Sequence, residues 1–139
     1  MKAIIRISGL VEVARTVEST LSRMRMRRKY TLVLLPATPV TNLLLKKVRN
    51  FVAYGNIDAE TLVALLQKRA HLIDKNKKVD LAEVAKQLEK KSLQELGIKP
   101  FFRLHPPRGG IDARLHFGVR KGVLGDNKEK INDLIRRML

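Results

Sequence analysis

Seven consecutive residues near the N-terminus carry the strongest chemical signal in this chain of 139 residues. Arg23, Arg25, Arg27, Arg28 and Lys29 are basic, and only two methionines interrupt them. Cations at the end of a helix complement the negative pole of its dipole, which accounts for one or two of them. Five in seven exceeds that need, and guanidinium groups bind phosphate oxygens well. Segment 23–29 therefore predicts a phosphate-binding surface, with its two methionines as core filler.

A second candidate site surrounds the segment His105-Pro106-Pro107-Arg108-Gly109-Gly110. Prolines fix the path of the backbone, and glycines allow it to approach another surface closely. Arginine offers a planar fork for a phosphate or a guanine edge. The remaining candidates are cations that flank this loop or lie on a predicted helix. The full candidate RNA-binding set beyond segment 23–29 is Lys46, Lys47, Arg49, Arg103, His105, Arg108, Gly109, Gly110 and Arg114.

The charge balance supports a polyanionic partner. The chain has 29 Lys and Arg against 13 Asp and Glu, a formal net charge of +16. Such an excess repels itself in a folded monomer unless a polyanion offsets it, and nucleic acid is the first candidate, an anionic membrane the second. Residues 1–55 carry a balance of +9, residues 56–100 only +2, and residues 101–139 carry +5. The two ends of the chain are therefore expected to face RNA.

Other classes of function have little support in the sequence. Cysteine is absent and histidine occurs three times, so neither a disulfide framework nor a rich metal cluster is expected. His105, Asp112 and His116 match no compact ligand spacing, so we expect no catalysis, no metal and no cofactor. No apolar run reaches the roughly 18–20 residues of a membrane span, and charge follows too early for a signal peptide, so no membrane partner is expected.

The elements that must position these residues begin with a β-α-β-α-β pattern. Strands are predicted at 3–8, 30–35 and 51–54, with helices from Leu10 and from Pro39 after the Thr38 cap. The second helix is expected to bury Val40, Leu43, Leu44 and Val48. Helices are also predicted at 59–70, after Asp80, at 92–97 and after Asp126, with short strands at 101–105 and 115–117. Few apolar residues occur in 99–125, which predicts partial disorder of that stretch without RNA.

Several segments together resemble the L-thirty family of large-subunit ribosomal proteins, in the long archaeal form related to eukaryotic L-seven. The resemblance covers essentially the whole chain. It is carried by Met24-Arg25-Met26-Arg27-Arg28, Pro36-Ala37-Thr38-Pro39, Phe51-Val52-Ala53-Tyr54-Gly55, Arg103 through Gly110, and Ile131 through Met138.

This resemblance implies an α+β fold with a three-stranded antiparallel sheet, the first strand central, and two helices on one face, as in ferredoxin-like folds. It implies a core at 1–55 and a mainly helical extension at 56–139, packed as one domain. It further implies a monomer within the cytoplasmic ribosome, bound to large-subunit ribosomal RNA and neighbouring ribosomal proteins. The chain starts directly with strand 1, without the basic arm of eukaryotic forms, which favours an archaeal protein. A regulatory or architectural DNA-binding module remains the alternative.

Overall fold

The computed structural model describes residues 1–9, 11, 13–76, 78–88 and 90–139. Position Leu10, where the first helix was expected to begin, lies outside the described residues. A short 3₁₀ turn at Lys128–Lys130 leads into the last helix. The elements in chain order are β1 (Lys2–Arg6), α1 (Arg15–Arg23), β2 (Thr31–Leu35), α2 (Pro39–Val48), β3 (Val52–Asn56), α3 (Ala59–Arg69), α4 (Leu81–Gln87), β4 (Phe102–Arg103), β5 (Asp112–His116), β6 (Gly122–Asp126) and α5 (Ile131–Met138).

A single sheet organises the α+β fold, with strand order β4-β2-β1-β3-β6-β5. As expected, β1 lies between β2 and β3 and pairs antiparallel with both, so that Ile4 faces Val33 on one side and Tyr54 on the other. The expected three-stranded sheet was nevertheless wrong. Segment 56–139 adds β4 antiparallel to β2, β6 parallel to β3 and β5 parallel to β6, so the sheet is mixed and six-stranded. That segment therefore contributes three strands beside its helices α3, α4 and α5.

Helices cover both faces of the sheet. On one face, α1 and α2 pack through Leu21 and Leu45 against alternate strand residues such as Ile4 and Val33. The opposite cluster joins residues of the strands with α3, α4 and α5, whose apolar side chains complete a larger core. The near-continuous apolar run of β2 follows from burial on both of its faces.

Helix α2 turns a different face inward from the one that the sequence suggested. Val40 and Leu43 are 66% and 60% exposed, contrary to expectation, whereas Val48 is buried as expected. Thr41 and Leu45 are buried as well. The helix begins as predicted, because Thr38 accepts a hydrogen bond from the Thr41 backbone N–H at 3.3 Å. Apolar residues occupy two adjacent stripes of this helix, and only the stripe that faces α1 and the sheet is covered.

Helix α5, at the C-terminus, joins segment 56–139 to the rest of the fold through close packing and hydrogen bonds. Gly55 lies against this helix so closely that a Cβ atom there would overlap the Lys128 carbonyl oxygen and the Ile131 side chain. The buried Asn132 accepts a hydrogen bond from the Asp58 N–H at 3.0 Å. Its amide group donates to the carbonyl oxygens of Asn56 and Glu129. The start of α3, the end of β3 and α5 thus meet at one side chain.

The stretch 99–125 contains more anchors than its composition suggested. Phe102, Leu104, Val123 and Leu124 are buried in the large core, so the stretch is not short of apolar anchors; its partial disorder without RNA stays a prediction. The expected helix at 92–97 is a series of turns. Within the described ranges, no helix is both long and apolar enough to cross a bilayer.

Candidate nucleic-acid interface

The end of α1 sets the path of the basic segment. The Arg25 N–H donates to the Ser22 carbonyl at 3.0 Å, and the Met26 N–H donates to the Leu21 carbonyl at 2.9 Å. These two bonds form a Schellman motif, with Arg25 in the left-handed conformation at φ +66°. Glycine is the usual residue at that position because a Cβ atom is disfavoured there. The chain places an arginine at a position whose backbone favours glycine.

Arginines and methionines alternate in orientation after this turn. Arg23, Arg25 and Arg27 are exposed, whereas Met24 and Met26 are buried in the cluster under α1 and α2. The expectation that the methionines fill the core is thereby confirmed. Arg28 and Lys29 continue the exposed series, and the Lys29 ammonium lies 5.0 Å from the centroid of the Tyr30 ring. The two buried methionines anchor the backbone in the core, and the cations of this segment face solvent.

Arg6, at the end of β1, holds this segment in place through hydrogen bonds. Its fully buried guanidinium donates to the Met26 carbonyl at 2.7 Å, and to the carbonyls of Ser8 and Gly9 at 3.0 Å each. Burial lowers the pKa of Arg6, and the attraction of Glu18 opposes that shift. Three carbonyl acceptors satisfy the buried charge. Arg6 is therefore a positioning residue for segment 23–29.

The structure joins this segment to a cation that lies 75 positions further along the chain. Strand β4 pairs with the start of β2, and Arg103 stands opposite Thr31. The Arg103 guanidinium lies 5.8 Å from the centroid of the Phe101 ring, a distance at which a cation and an aromatic face attract. A groove of about 360 Å³ results, which we call the arginine groove; its lining is Arg25, Arg27, Arg28, Thr31, Phe101 and Arg103.

The arginine groove concentrates positive charge without compensating acids. Within the part of the chain that the structure describes, ion pairs occur only between Arg136 and the carboxylates of Asp58 and Glu60, at 3.9 and 3.7 Å. No arginine of the groove has a described carboxylate within 4.0 Å. Four guanidinium groups around one aromatic ring repel one another until an anion enters. The groove is thus suited to a phosphate-bearing ligand.

The loop 105–110 is held rigidly by the end of α5. The His105 N–H donates to the Met138 carbonyl, and the Arg108 N–H to the Arg137 carbonyl. The Arg137 side chain in turn donates to the carbonyl oxygens of Arg108 and Gly110. Gly109 and Gly110 have φ values of +77° and +73°, which explains the double glycine. His105 and Arg108 are left exposed on a fixed backbone.

The other predicted residues do not join the arginine groove. Lys46, Lys47 and Arg49 are exposed at the end of α2 and line none of it. Arg114 is exposed on β5, at the opposite edge of the sheet from β4. Five strand spacings separate these edges, roughly 24 Å. The second basic set expected from the sequence is therefore divided, with Arg103 on one edge and Arg114 on the other.

Sequence reasoning missed four residues that build the site: Arg6, Thr31, Phe101 and Arg137. A signal existed for Arg6, since a charged residue inside a β-branched strand must find buried acceptors. Arg137 lies in the terminal helix, and nothing in the local sequence indicated that its side chain would bind the backbone of the loop 105–110. Phe101 is partly buried and lines the groove.

The histidines do not assemble with acids. Among the residues described, no group of three His, Cys, Asp or Glu side chains is arranged to hold a metal ion. His105 contributes its backbone N–H to the loop, and its side chain is exposed.

A basic α+β protein whose arginine groove has no described carboxylate partner has the features expected of a polyanion-binding protein. Comparison with known proteins identifies its family. Proteins described as large ribosomal subunit protein uL30 match it from Pyrobaculum islandicum, at 38% identity, and from Nanoarchaeum equitans and Archaeoglobus fulgidus, each at 39%. Each alignment covers 99% of this chain, and 93%, 97% and 99% of the respective relative. The chain belongs to the uL30 family of ribosomal proteins. No family model matches it.

Proposed function

We propose that this protein is a structural constituent of the large ribosomal subunit that binds ribosomal RNA through the arginine groove. The single observation that carries the proposal is the convergence of Arg25, Arg27, Arg28 and Arg103 without described carboxylate partners. Membership of the uL30 family supplies the assembly in which such a groove would act. No catalytic step is assigned.

The loop 105–110 is a second contact in this proposal. Its backbone is fixed by α5, so His105 and Arg108 lose little further entropy when they bind. Its glycines leave room for a close approach of a sugar–phosphate backbone. Peripheral contacts come from Lys46, Lys47 and Arg49 at the end of α2, and from Arg114 at the far edge. A ligand that touches all of these surfaces must be larger than the sheet is wide, which fits a folded RNA better than a short strand.

Further parts of the proposal concern organisation and context. Residues 1–55 form the ferredoxin-like core, and residues 56–139 form the extension of the same domain. The protein acts as a monomer within the cytoplasmic ribosome, beside other ribosomal proteins. The mixed sheet supports one domain, because β6 of the extension pairs directly with β3 of the core.

The test measures binding to large-subunit ribosomal RNA as a function of salt. Each phosphate contact contributes a slope of about 0.9 to the dependence of log affinity on log salt concentration. The triple variant Arg27→Gln, Arg28→Gln and Arg103→Gln should lower that slope by roughly 2 to 3. The matched control, Lys68→Gln, Lys75→Gln and Lys78→Gln, removes equal charge from exposed positions elsewhere and should lower it by less than about 1.

Equal slopes for the two triple variants would remove the arginine groove from the proposal. Duplex DNA of the same length serves as competitor, since the alternative function is DNA binding. If duplex DNA displaces the ribosomal RNA at equal concentration, the ribosomal assignment of the groove is wrong. Co-sedimentation with large subunits at low and high salt then tests the assembly itself.

A further inference from the structure

The outer edge of β2 is covered along only part of its length. Strand β4 pairs with Thr31 and Leu32 and ends there. The Leu104 N–H donates to the Tyr30 carbonyl at 3.0 Å. This bond indicates which residues of β2 direct their backbone N–H and C=O groups towards β4. The peptide groups of Leu32, and two residues later those of Leu34, consequently point towards the β4 side. Leu34 thus directs a donor and an acceptor to an edge that β4 does not reach.

Pro100 explains why β4 stops short. If the ladder of Thr31 with Arg103 and Leu32 with Phe102 continued, Pro100 would be the partner of Leu34. Proline has no N–H to donate to the Leu34 carbonyl. Among the described residues, no backbone hydrogen bond joins Leu34 and Pro100. The β4 ladder therefore ends before Leu34, and Pro100 borders a groove there without pairing, so this part of the edge has no described backbone partner.

A groove of about 440 Å³ lies against this open edge, which we call the β2 groove. Its apolar part includes Leu34, Leu35, Leu88 and Leu93. Its described cations are Arg23, Arg25, Lys90 and Lys91, of which Arg25 also lines the arginine groove, and no described lining residue is acidic. An apolar floor offers nothing to a phosphate backbone, whereas it suits the side chains of a peptide. The cations complement carboxylates on such a peptide.

We propose that the β2 groove binds an extended segment of a partner protein, in which apolar and acidic side chains alternate. The segment adds a strand to the edge at Leu34, with main-chain hydrogen bonds to that residue. Alternate side chains of a strand point in opposite directions, so one set reaches Leu35 and Leu88 while the other meets Lys90 and Lys91. This site shares Arg23 and Arg25 with the basic segment 23–29, but its main-chain contacts use the part of β2 beyond β4 rather than the part that β4 covers.

The experiment uses a fluorescein-labelled decapeptide of alternating valine and glutamate, and fluorescence anisotropy with the full-length protein. A second peptide has the same composition, with its valines and glutamates in two blocks, and controls for attraction of any acidic peptide to a basic protein. The alternating peptide should bind about tenfold more tightly than the block peptide. Lys90→Glu with Lys91→Glu should weaken it about tenfold, whereas Lys75→Glu with Lys78→Glu, an equal change of charge elsewhere, should weaken it by about twofold at most.

Hydrogen exchange of the Leu34 amide distinguishes strand addition from loose attraction. In the free protein this amide should exchange faster than that of Leu32, and the alternating peptide should slow it at least about tenfold. The Val33 amide points towards β1 and should not change. Equal binding of both peptides, or an unchanged Leu34 exchange rate in the complex, overturns the proposal. Protection of Leu34 by ribosomal RNA instead of the peptide would make nucleic acid the occupant, which also overturns it.

Discussion

Substitution of Arg25 by glycine should stabilise the protein and weaken its binding to RNA. Arg25 is the left-handed residue of the Schellman motif at the end of α1, with φ +66°. A residue with a Cβ atom costs about 1–2 kcal/mol in that conformation, which glycine avoids. Glycine also loses more conformational entropy on folding, which costs about 0.5–1 kcal/mol. The balance is a gain of about 0.5–1 kcal/mol in the free energy of unfolding.

The gain is measurable by thermal denaturation. The entropy of unfolding is about 2.1 cal/mol/K per residue, so a chain of this length should melt roughly 2–3 °C higher. Arg25→Ala is the matched control, because it removes the same guanidinium and keeps the unfavourable backbone. Alanine should leave the melting temperature within about 1 °C of the wild type.

Binding should change in the same direction for both variants. Each removes one cation from the arginine groove, so each should lower the salt slope for ribosomal RNA by about 0.9. A glycine variant that melts below the wild type would refute the argument from backbone strain. Unchanged salt slopes for both variants would refute the assignment of Arg25 to the RNA surface, whatever the melting temperatures show.

Two further outcomes follow from the junction between β3, α3 and α5. Asn132→Ala removes three hydrogen bonds from a buried side chain and should lower the free energy of unfolding by about 1–3 kcal/mol in urea titration, whereas Asn76→Ala in an exposed turn should be neutral. The pKa of Asp58 is lowered by Thr61, whose backbone N–H donates to the Asp58 carboxylate at 2.7 Å. Its contribution to stability is therefore present above the unfolded-state pKa of 3.8 and is lost as pH falls through the lower folded-state value. Relative to Asp58→Asn, the wild type should lose up to about 1 kcal/mol between pH 6 and pH 2, and an increase of that difference at low pH would contradict the sign.

The first half of the fold was predictable because its elements carry local signals. Thr38 and Pro39 mark the start of α2, and the β-branched and apolar runs at β1 and β2 fit strands that are buried on both faces. Antiparallel pairing was not available from that pattern, since a β-α-β order suggests parallel strands, and it came from the family resemblance. The inner face of α2 was missed because two apolar stripes compete on one helix. Only tertiary packing against α1 selects between them.

The strands of segment 56–139 gave weaker signals. Strand β6 contains Gly122 and Gly125, two residues that normally weaken a strand, and its burial comes entirely from neighbours. Strand β4 has two residues, too few for any period of alternation. Both strands exist because a partner strand already stands in place. A pairing of this kind depends on contacts between distant parts of the chain, which a local pattern does not contain.

The arginine groove is the consequence of that short strand. Two paired positions on β2 bring Arg103 beside segment 23–29, while Arg114, eleven residues after β4 ends at Arg103, lies at the opposite edge. Proximity in sequence therefore misgrouped the cations: Arg103 was assigned with Arg108 and Arg114, yet it lines the groove with Arg25, Arg27 and Arg28. Charge counting located the two ends of the chain as the basic surface. The ladder between β2 and β4 decides which of those charges line the same groove.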